Sequence, residues 1–92
     1  MNKNKWILKN GASTQEYDSF PYAYRVMYAI AKKASETGKF GEVSKGLIII
    51  SPQKDLHGDP KKYSYAAATI MATDSGLLTP DGTINSREFK RH

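Results

Sequence analysis

The most apolar stretch of the chain is only four residues long, the Leu-Ile-Ile-Ile run at positions 47–50. Gly46 precedes this run, and Ser51 and Pro52 follow it. β-Branched residues favour strands, and a run of this length is far too short to cross a bilayer as a helix. Because the run lacks the polar and apolar alternation of a half-exposed strand, it predicts a central strand over residues 47–51 that is buried on both faces.

Size and composition limit the chain to one small core. Its 92 residues contain no cysteine, and 39% hydrophobic with 25% charged residues is typical of globular domains rather than of disordered or membrane proteins. We therefore expect a single small domain over residues 1–92, with ends that need not be ordered and no membrane partner. The first ten residues lack the apolar segment of a signal peptide, so a cytoplasmic location is expected by default.

The first of two predicted main helices covers about residues 20–37. Ser19 is a suitable N-cap, Pro21 fits the first turn, and Gly38 fits the position after the last turn. Apolar residues recur at spacings of three and four along one stripe of this helix: Tyr24, Met27, Tyr28, Ala31 and Ala34.

The second predicted helix covers about residues 62–75 and ends before Gly76. Two starts fit the sequence: a cap at Asp59 before a helix from Pro60, or a cap at Ser64 after a short extended segment. One face of this helix is expected to carry the residues Tyr63, Ala67, Ile70 and Met71. Small residues that let another element approach closely are Ala66, Ala68 and Ala72.

The remaining segments predict short strands, turns and loops. A strand is expected at about residues 5–9, and a hairpin is allowed at about residues 77–79 and 83–85. Residues 13–16 are expected to form only a turn, residues 38–41 a helix end and a loop, and residues 52–60 an exposed loop. Two main helices and a small sheet give an α+β fold class, with the strand order left open.

The sequence offers little that is typical of an active site. Asp55 and Asp59 flank His57, but an exposed polar turn explains this segment better than a metal site does. No nucleophile-elbow sequence surrounds Ser51, and Gly38 to Gly41 follows a helix instead of a strand, unlike a phosphate loop. We therefore expect a non-enzymatic protein without catalytic residues, metal or cofactor.

Positive charge is the stronger functional signal. Fourteen Lys and Arg residues against nine Asp and Glu give a net charge of +5, with the excess at both ends and after the first helix. If the two ends lie close together, one basic patch is formed by Lys3, Lys5, Lys9, Arg87, Lys90 and Arg91. Such a patch would attract phosphate backbones, whereas the alternative role of these side chains is simple solvation.

Tyrosine is the second enriched feature, with six residues. Tyr24 and Tyr28 lie on the apolar stripe of the first helix and are expected to pack in the core. For Tyr22 and Tyr65 two roles remain open, which are core packing and an exposed ring that stacks on a base or contacts a partner protein.

Residues 62–77, with the sequence KYSYAAATIMATDSGL, resemble the helix-turn-helix modules of phage and intron homing endonucleases. The resemblance implies a second helix that contacts DNA through Ser86, Arg87 and Lys90, although residues 79–82 lengthen the turn here. In its use of Lys, Ile, Tyr and Asn the chain is also similar to accessory proteins of tailed phages, many of which bind a host protein.

Two functions are therefore expected for this small basic domain. The leading one is binding of nucleic acid, DNA above all, through the terminal cations with help from Tyr22 or Tyr65. The alternative is a phage-type accessory protein that binds and modulates a host protein.

Overall fold

A computed structural model describes residues 5–85 of the chain. In chain order the elements are β1 (Trp6–Asn10), β2 (Ser13–Tyr17), α1 (Phe20–Glu36), α2 (Phe40–Lys45), β3 (Leu47–Lys54), β4 (Pro60–Ser64) and α3 (Tyr65–Asp74). The predicted α+β class, with two main helices and a small sheet, is confirmed. Within the described part of the chain, no helix has both the length and the apolar character that a membrane span requires.

The four strands form one antiparallel sheet in the order β2-β1-β3-β4. β1 and β3 are the two inner strands, so the predicted central position of the apolar run is confirmed. Gly11 lies in the tight turn between β1 and β2 with a φ of 62°, a conformation that glycine adopts without a steric penalty. Its N–H donates to the carbonyl of Gly46, 3.1 Å away, which holds this turn beside the start of β3.

The two faces of the sheet meet different surroundings. Leu8 of β1 pairs with Ile49 of β3, and together with Leu47 these residues are buried against the helices. Ile48 and Ile50 point to the opposite face, where they stay partly exposed. The prediction that this strand is buried on both faces is therefore wrong, because the helices of residues 5–85 contact only one side of the sheet.

Helix α1 has the predicted extent, and four of the five residues of its predicted stripe are buried. Its N-terminal half carries a ladder of aromatic rings, with centroid distances of 5.4 Å from Trp6 to Phe20, 5.8 Å from Phe20 to Tyr24 and 6.2 Å from Tyr24 to Tyr28. Ser19 is the N-cap residue by position, but its hydroxyl caps nothing and is buried without a hydrogen-bond partner. The ring ladder ties the start of α1 to β1.

Helix α3 begins after Ser64, which settles the choice between the two predicted starts. The Ser64 hydroxyl accepts a hydrogen bond from the N–H of Ala67 at 3.2 Å. The buried residues of α3 are Ala68 and Ala72, whereas Ile70 is 64% exposed. The close approach predicted for Ala68 and Ala72 is confirmed, but it is wrong for Ala66, which is exposed, and Ile70 does not face the core.

Three segments differ from the sequence prediction. Residues 13–16, predicted as a turn, belong to the edge strand β2, because pairing with β1 satisfies their backbone groups. Residues 38–41 were predicted as a helix end and a loop, but the short helix α2 (Phe40–Lys45) already begins at Phe40. The predicted loop 52–60 is exposed from residue 53 onward, but part of it extends β3 to Lys54 and forms a β-hairpin with β4.

The segment after α3 forms a tight turn instead of a complete hairpin. A single bridge joins Leu78 to Ile84, at the place where two short strands were allowed. Hydrogen bonds donated by the hydroxyls of Thr79 and Thr83 lower the pKa of the Asp81 carboxyl. The Tyr28 hydroxyl donates to the carbonyl of Gly82 and fastens the turn to α1.

Candidate binding grooves

Most of the predicted basic patch lies outside the described residues. Five predicted nucleic-acid-binding residues lie outside the described residues: Lys3, Ser86, Arg87, Lys90 and Arg91. Lys5 forms an ion pair with Asp18, and Lys9 lies exposed on β1.

Tyr22 lines an open groove between α1 and the edge strand β2, which we call the α1–β2 groove. Its volume is about 460 Å³. Its lining residues are Tyr17, Tyr22, Arg25, Val26, Ala29, Ile30 and Lys33. All of them except Tyr17 come from α1, so the helix forms one wall and the floor of the groove.

A second stripe on α1 builds this groove. Tyr22, Val26, Ala29 and Lys33 follow one another at spacings of four, three and four, beside the stripe that faces the core. Val26 and Ile30 are half-buried and form an apolar floor. This stripe is visible in the sequence, but the prediction for α1 rested only on the more apolar stripe and did not include Arg25 and Lys33.

The charges along the groove are unevenly distributed. Arg25 and Lys33 are eight residues apart, which is about 12 Å along a helix, and no carboxylate is among the lining residues of the described part of the chain. Beyond the Tyr22 end lies a smaller cavity of about 260 Å³, lined by Lys5, Glu16, Tyr17, Asp18 and Tyr22. The groove is therefore cationic along α1 and acquires carboxylate neighbours only past Tyr22.

Tyr65 lies in a different groove, between α2 and α3, with a volume of about 570 Å³. Its lining residues are Phe40, Ser44, Lys45, Ser64, Tyr65, Ala66, Thr69 and Ile70. The rings of Phe40 and Tyr65 meet edge to face at 5.6 Å, and Phe40 is 40% exposed. The two tyrosines predicted to contact a partner thus belong to separate surfaces. The sequence prediction did not include Phe40 as a site residue, because it assigned residues 38–41 to a helix end and a loop.

Tyr24 and Tyr28 pack where the sequence placed them. Tyr24 is fully buried, and its hydroxyl lies 3.0 Å from that of Thr69 on α3. Burial raises the pKa of Tyr24 to about 12, because the charged phenolate would lose its hydration. This hydrogen bond joins the two main helices across the core.

The segment around His57 forms a hairpin turn. The Asp55 carboxylate accepts hydrogen bonds from the N–H groups of His57 at 2.9 Å and of Asp59 at 3.0 Å. Gly58 supplies the left-handed conformation of the turn, with a φ of 83°. Across residues 5–85, no three or more His, Cys, Asp or Glu side chains gather into a group that could hold a metal ion. Asp55 thus has a structural role in organising the turn.

Comparison with known proteins adds no relative to this description. No protein family, curated protein or solved structure matches the chain. The fold and the grooves define the class of the protein as a small antiparallel α+β domain with open surface grooves.

Proposed function

We propose that the protein is a non-enzymatic nucleic-acid-binding domain whose α1–β2 groove takes a single-stranded segment. The observation that carries the proposal is the lining of this groove, in which the described residues include two tyrosines and two cations and no carboxylate. Proteins that bind single strands combine aromatic rings, on which bases stack, with positive charge along the backbone path. The net charge of +5 favours the same partner.

The arrangement of the groove suggests how the strand would lie. Arg25 and Lys33 would contact phosphates along α1, and Tyr22 would offer a ring to a base at the other end. Glu16 and Asp18 lie past Tyr22 and would repel a phosphate there, so the backbone is expected to follow the helix away from β2. The apolar floor suits unstacked bases, which a duplex does not present, so single strands should bind more tightly than duplexes.

Binding is tested by fluorescence anisotropy with a labelled single-stranded oligonucleotide at about 50 and 200 mM salt. Lys33→Gln should weaken binding and flatten the salt dependence by about 0.7 in the logarithmic slope, the value expected for one lost phosphate contact on a single strand. Lys32→Gln removes the same charge from the preceding residue of α1, which does not line the groove, and should stay close to wild type. If the two variants weakened binding equally, the binding would be explained by net charge alone and not by a contact of Lys33 in the groove.

The stacking role has its own matched pair of variants. Tyr22→Leu should weaken binding about 5- to 150-fold if a base stacks on the ring, since stacking contributes about 1–3 kcal/mol per base. Tyr65→Leu changes the same residue type in the other groove and should leave binding unchanged. Failure of the wild-type protein to bind any oligonucleotide at low salt would overturn the proposal.

A second candidate function, an accessory protein that binds and modulates a larger protein, is favoured by the α2–α3 groove. Phe40 and Ile70 are exposed there, and Lys45 is the single charged residue of the lining. Aromatic and aliphatic anchors in a weakly charged groove are typical of protein interfaces.

This second function is tested by capture of partners from a nuclease-treated bacterial lysate at high salt. Ile70→Lys should abolish capture of a given partner, whereas Leu56→Lys should not. Leu56 is the matched control because it is a fully exposed aliphatic residue in the β3–β4 turn, outside the groove. A partner that is captured from an untreated lysate but not from the nuclease-treated one would indicate binding through nucleic acid.

A further inference from the structure

We propose that the sheet face opposite the helices binds a second copy of this chain, forming a face-to-face homodimer. We call this surface the open face. Its central residues are Ile7, Ile48 and Ile50, which are partly exposed and do not join the core cluster. The proposal does not rest on nucleic-acid binding, because the α1–β2 groove lies elsewhere on the fold.

The strand register places four residues in one row across the open face. From edge to edge the row is Glu16 on β2, Ile7 on β1, Ile50 on β3 and Lys62 on β4. Neighbouring strands lie about 4.8 Å apart, so the acidic and the basic end of the row are separated by about 14 Å. The row therefore carries opposite charges at opposite edges, with two isoleucines between them.

This row is complementary to itself under one particular symmetry. A two-fold axis that is parallel to the strands and passes between β1 and β3 places Glu16 opposite Lys62 of the second copy, at both edges. The same axis places Ile7 opposite Ile50 of the second copy. An axis perpendicular to the strands would instead place Glu16 opposite itself, so the charges select the first arrangement.

The next row is compatible with the same axis. It consists of Thr14, Lys9, Ile48 and Ser64. In the dimer Lys9 lies opposite Ile48 of the second copy, where its alkyl chain can cover the isoleucine. Its ammonium group can reach water because Lys9 is next to the last residue of β1, at the end of the sheet. Packed sheets lie about 10 Å apart, which leaves room for both side-chain layers.

The composition of the open face favours a second copy over nucleic acid. The two rows contain no aromatic residue on which a base could stack, and Glu16 would repel a phosphate. Stable interfaces bury about 800 Å² per partner, and a four-stranded face is small by this measure. We therefore expect association in the micromolar range.

The test is the mass of the protein in solution, measured by sedimentation equilibrium from about 5 to 200 µM. The wild type should be a reversible dimer at the upper end of this range. Glu16→Lys and Lys62→Glu should each raise the dissociation constant at least tenfold, since each variant juxtaposes like charges at both edges. Lys61→Glu is the matched control, because Lys61 lies next to Lys62 on β4 but on the other face, and it should dimerise like the wild type.

Mixing the two single variants gives the sharpest result. Glu16→Lys and Lys62→Glu in equal amounts should form a heterodimer of near wild-type affinity, because both edges then pair a lysine with a glutamate. The double variant should dimerise by itself for the same reason. A monomeric wild type at every concentration, or variants that remain monomeric when mixed, would overturn the proposal. Oligonucleotide binding lost in Lys62→Glu but not in Lys61→Glu would reassign the face to nucleic acid.

Discussion

The two faces of the sheet carry neighbouring isoleucines of the same strand, yet they differ sharply in environment. Ile49 is fully buried beneath the helices, while Ile48 and Ile50 remain partly exposed on the open face. The residue types are identical, so the difference comes from where α1 and α3 lie and not from the strand itself. An apolar strand sequence thus predicts a central position in a sheet, but it does not predict whether one or both faces of that sheet are covered by other elements.

Two substitutions on β3 itself test this difference between the faces, and the first should cause the largest loss of stability. Ile49→Ala should lower the free energy of unfolding by about 2–5 kcal/mol, because it leaves a cavity between the sheet and the helices. Ile50→Ala should lower it by less than about 1 kcal/mol, because its side chain keeps contact with water. Urea unfolding at about 1 µM protein, below the expected dimer range, checks both. Equal losses would mean that the open face is covered in the monomer.

Unfolding at alkaline pH tests the burial of Tyr24 between the helices and the sheet. The folded protein raises the pKa of this phenol to about 12, against about 10 in an unfolded chain, so the folded state binds the proton more tightly. The associated stability is present below pH 10 and is lost as the pH rises from about 10 to 12, which amounts to about 2–3 kcal/mol. Tyr24→Phe removes this titration. The wild type should therefore lose more free energy of unfolding than the variant over this range, and parallel curves would contradict the burial of Tyr24.

The next largest change in stability concerns the small residues that let α3 lie close to α1 and to the sheet face beneath the helices. Ala68→Leu should lower the free energy of unfolding by about 1–3 kcal/mol, because Ala68 is fully buried and a larger side chain would force α3 outward. Ala66→Leu adds the same group on the exposed side of α3 and should change stability by less than about 0.5 kcal/mol. Thermal unfolding measures the loss of stability in each variant. A larger loss in Ala66→Leu than in Ala68→Leu would mean that Ala66, and not Ala68, faces the core.

The smallest effect separates the two serines that begin the main helices. Ser64→Ala should lower the free energy of unfolding by about 1 kcal/mol, since the Ser64 hydroxyl accepts from the N–H of Ala67. Ser19→Ala should be neutral or stabilising, because the Ser19 hydroxyl is buried without a hydrogen-bond partner. Urea midpoints of both variants check the contrast, and a clear loss in Ser19→Ala would contradict it.

Helix α1 was predictable because its signals lie within a few residues of one another. Pro21, the stripe from Tyr24 to Ala34 and the terminal Gly38 all act on the local backbone or on one helix face. The same holds for the strand before Gly11, where a positive φ turns the chain back. In each case neighbouring residues favour the structure that the fold adopts.

The α1–β2 groove was only half predictable. The sequence singled out Tyr22, but it could not show that Tyr17 from another element would lie in the same groove. It also paired Tyr22 with Tyr65 as equivalent candidates, although the fold places them on different surfaces. Such groupings depend on contacts between residues far apart in the chain, which no local pattern contains.

The α+β class, the extent of α1, the central position of β3 and the glycine turns were all readable from the amino-acid order, because backbone preferences and side-chain periodicity act over short distances. Tertiary contacts were needed to show that residues 13–16 form a strand, that α3 starts after Ser64, that Ile70 faces outward and that the helices of residues 5–85 cover one face of the sheet. Those choices follow from long-range pairing and packing, in which a segment takes the structure that satisfies its partners as well as itself.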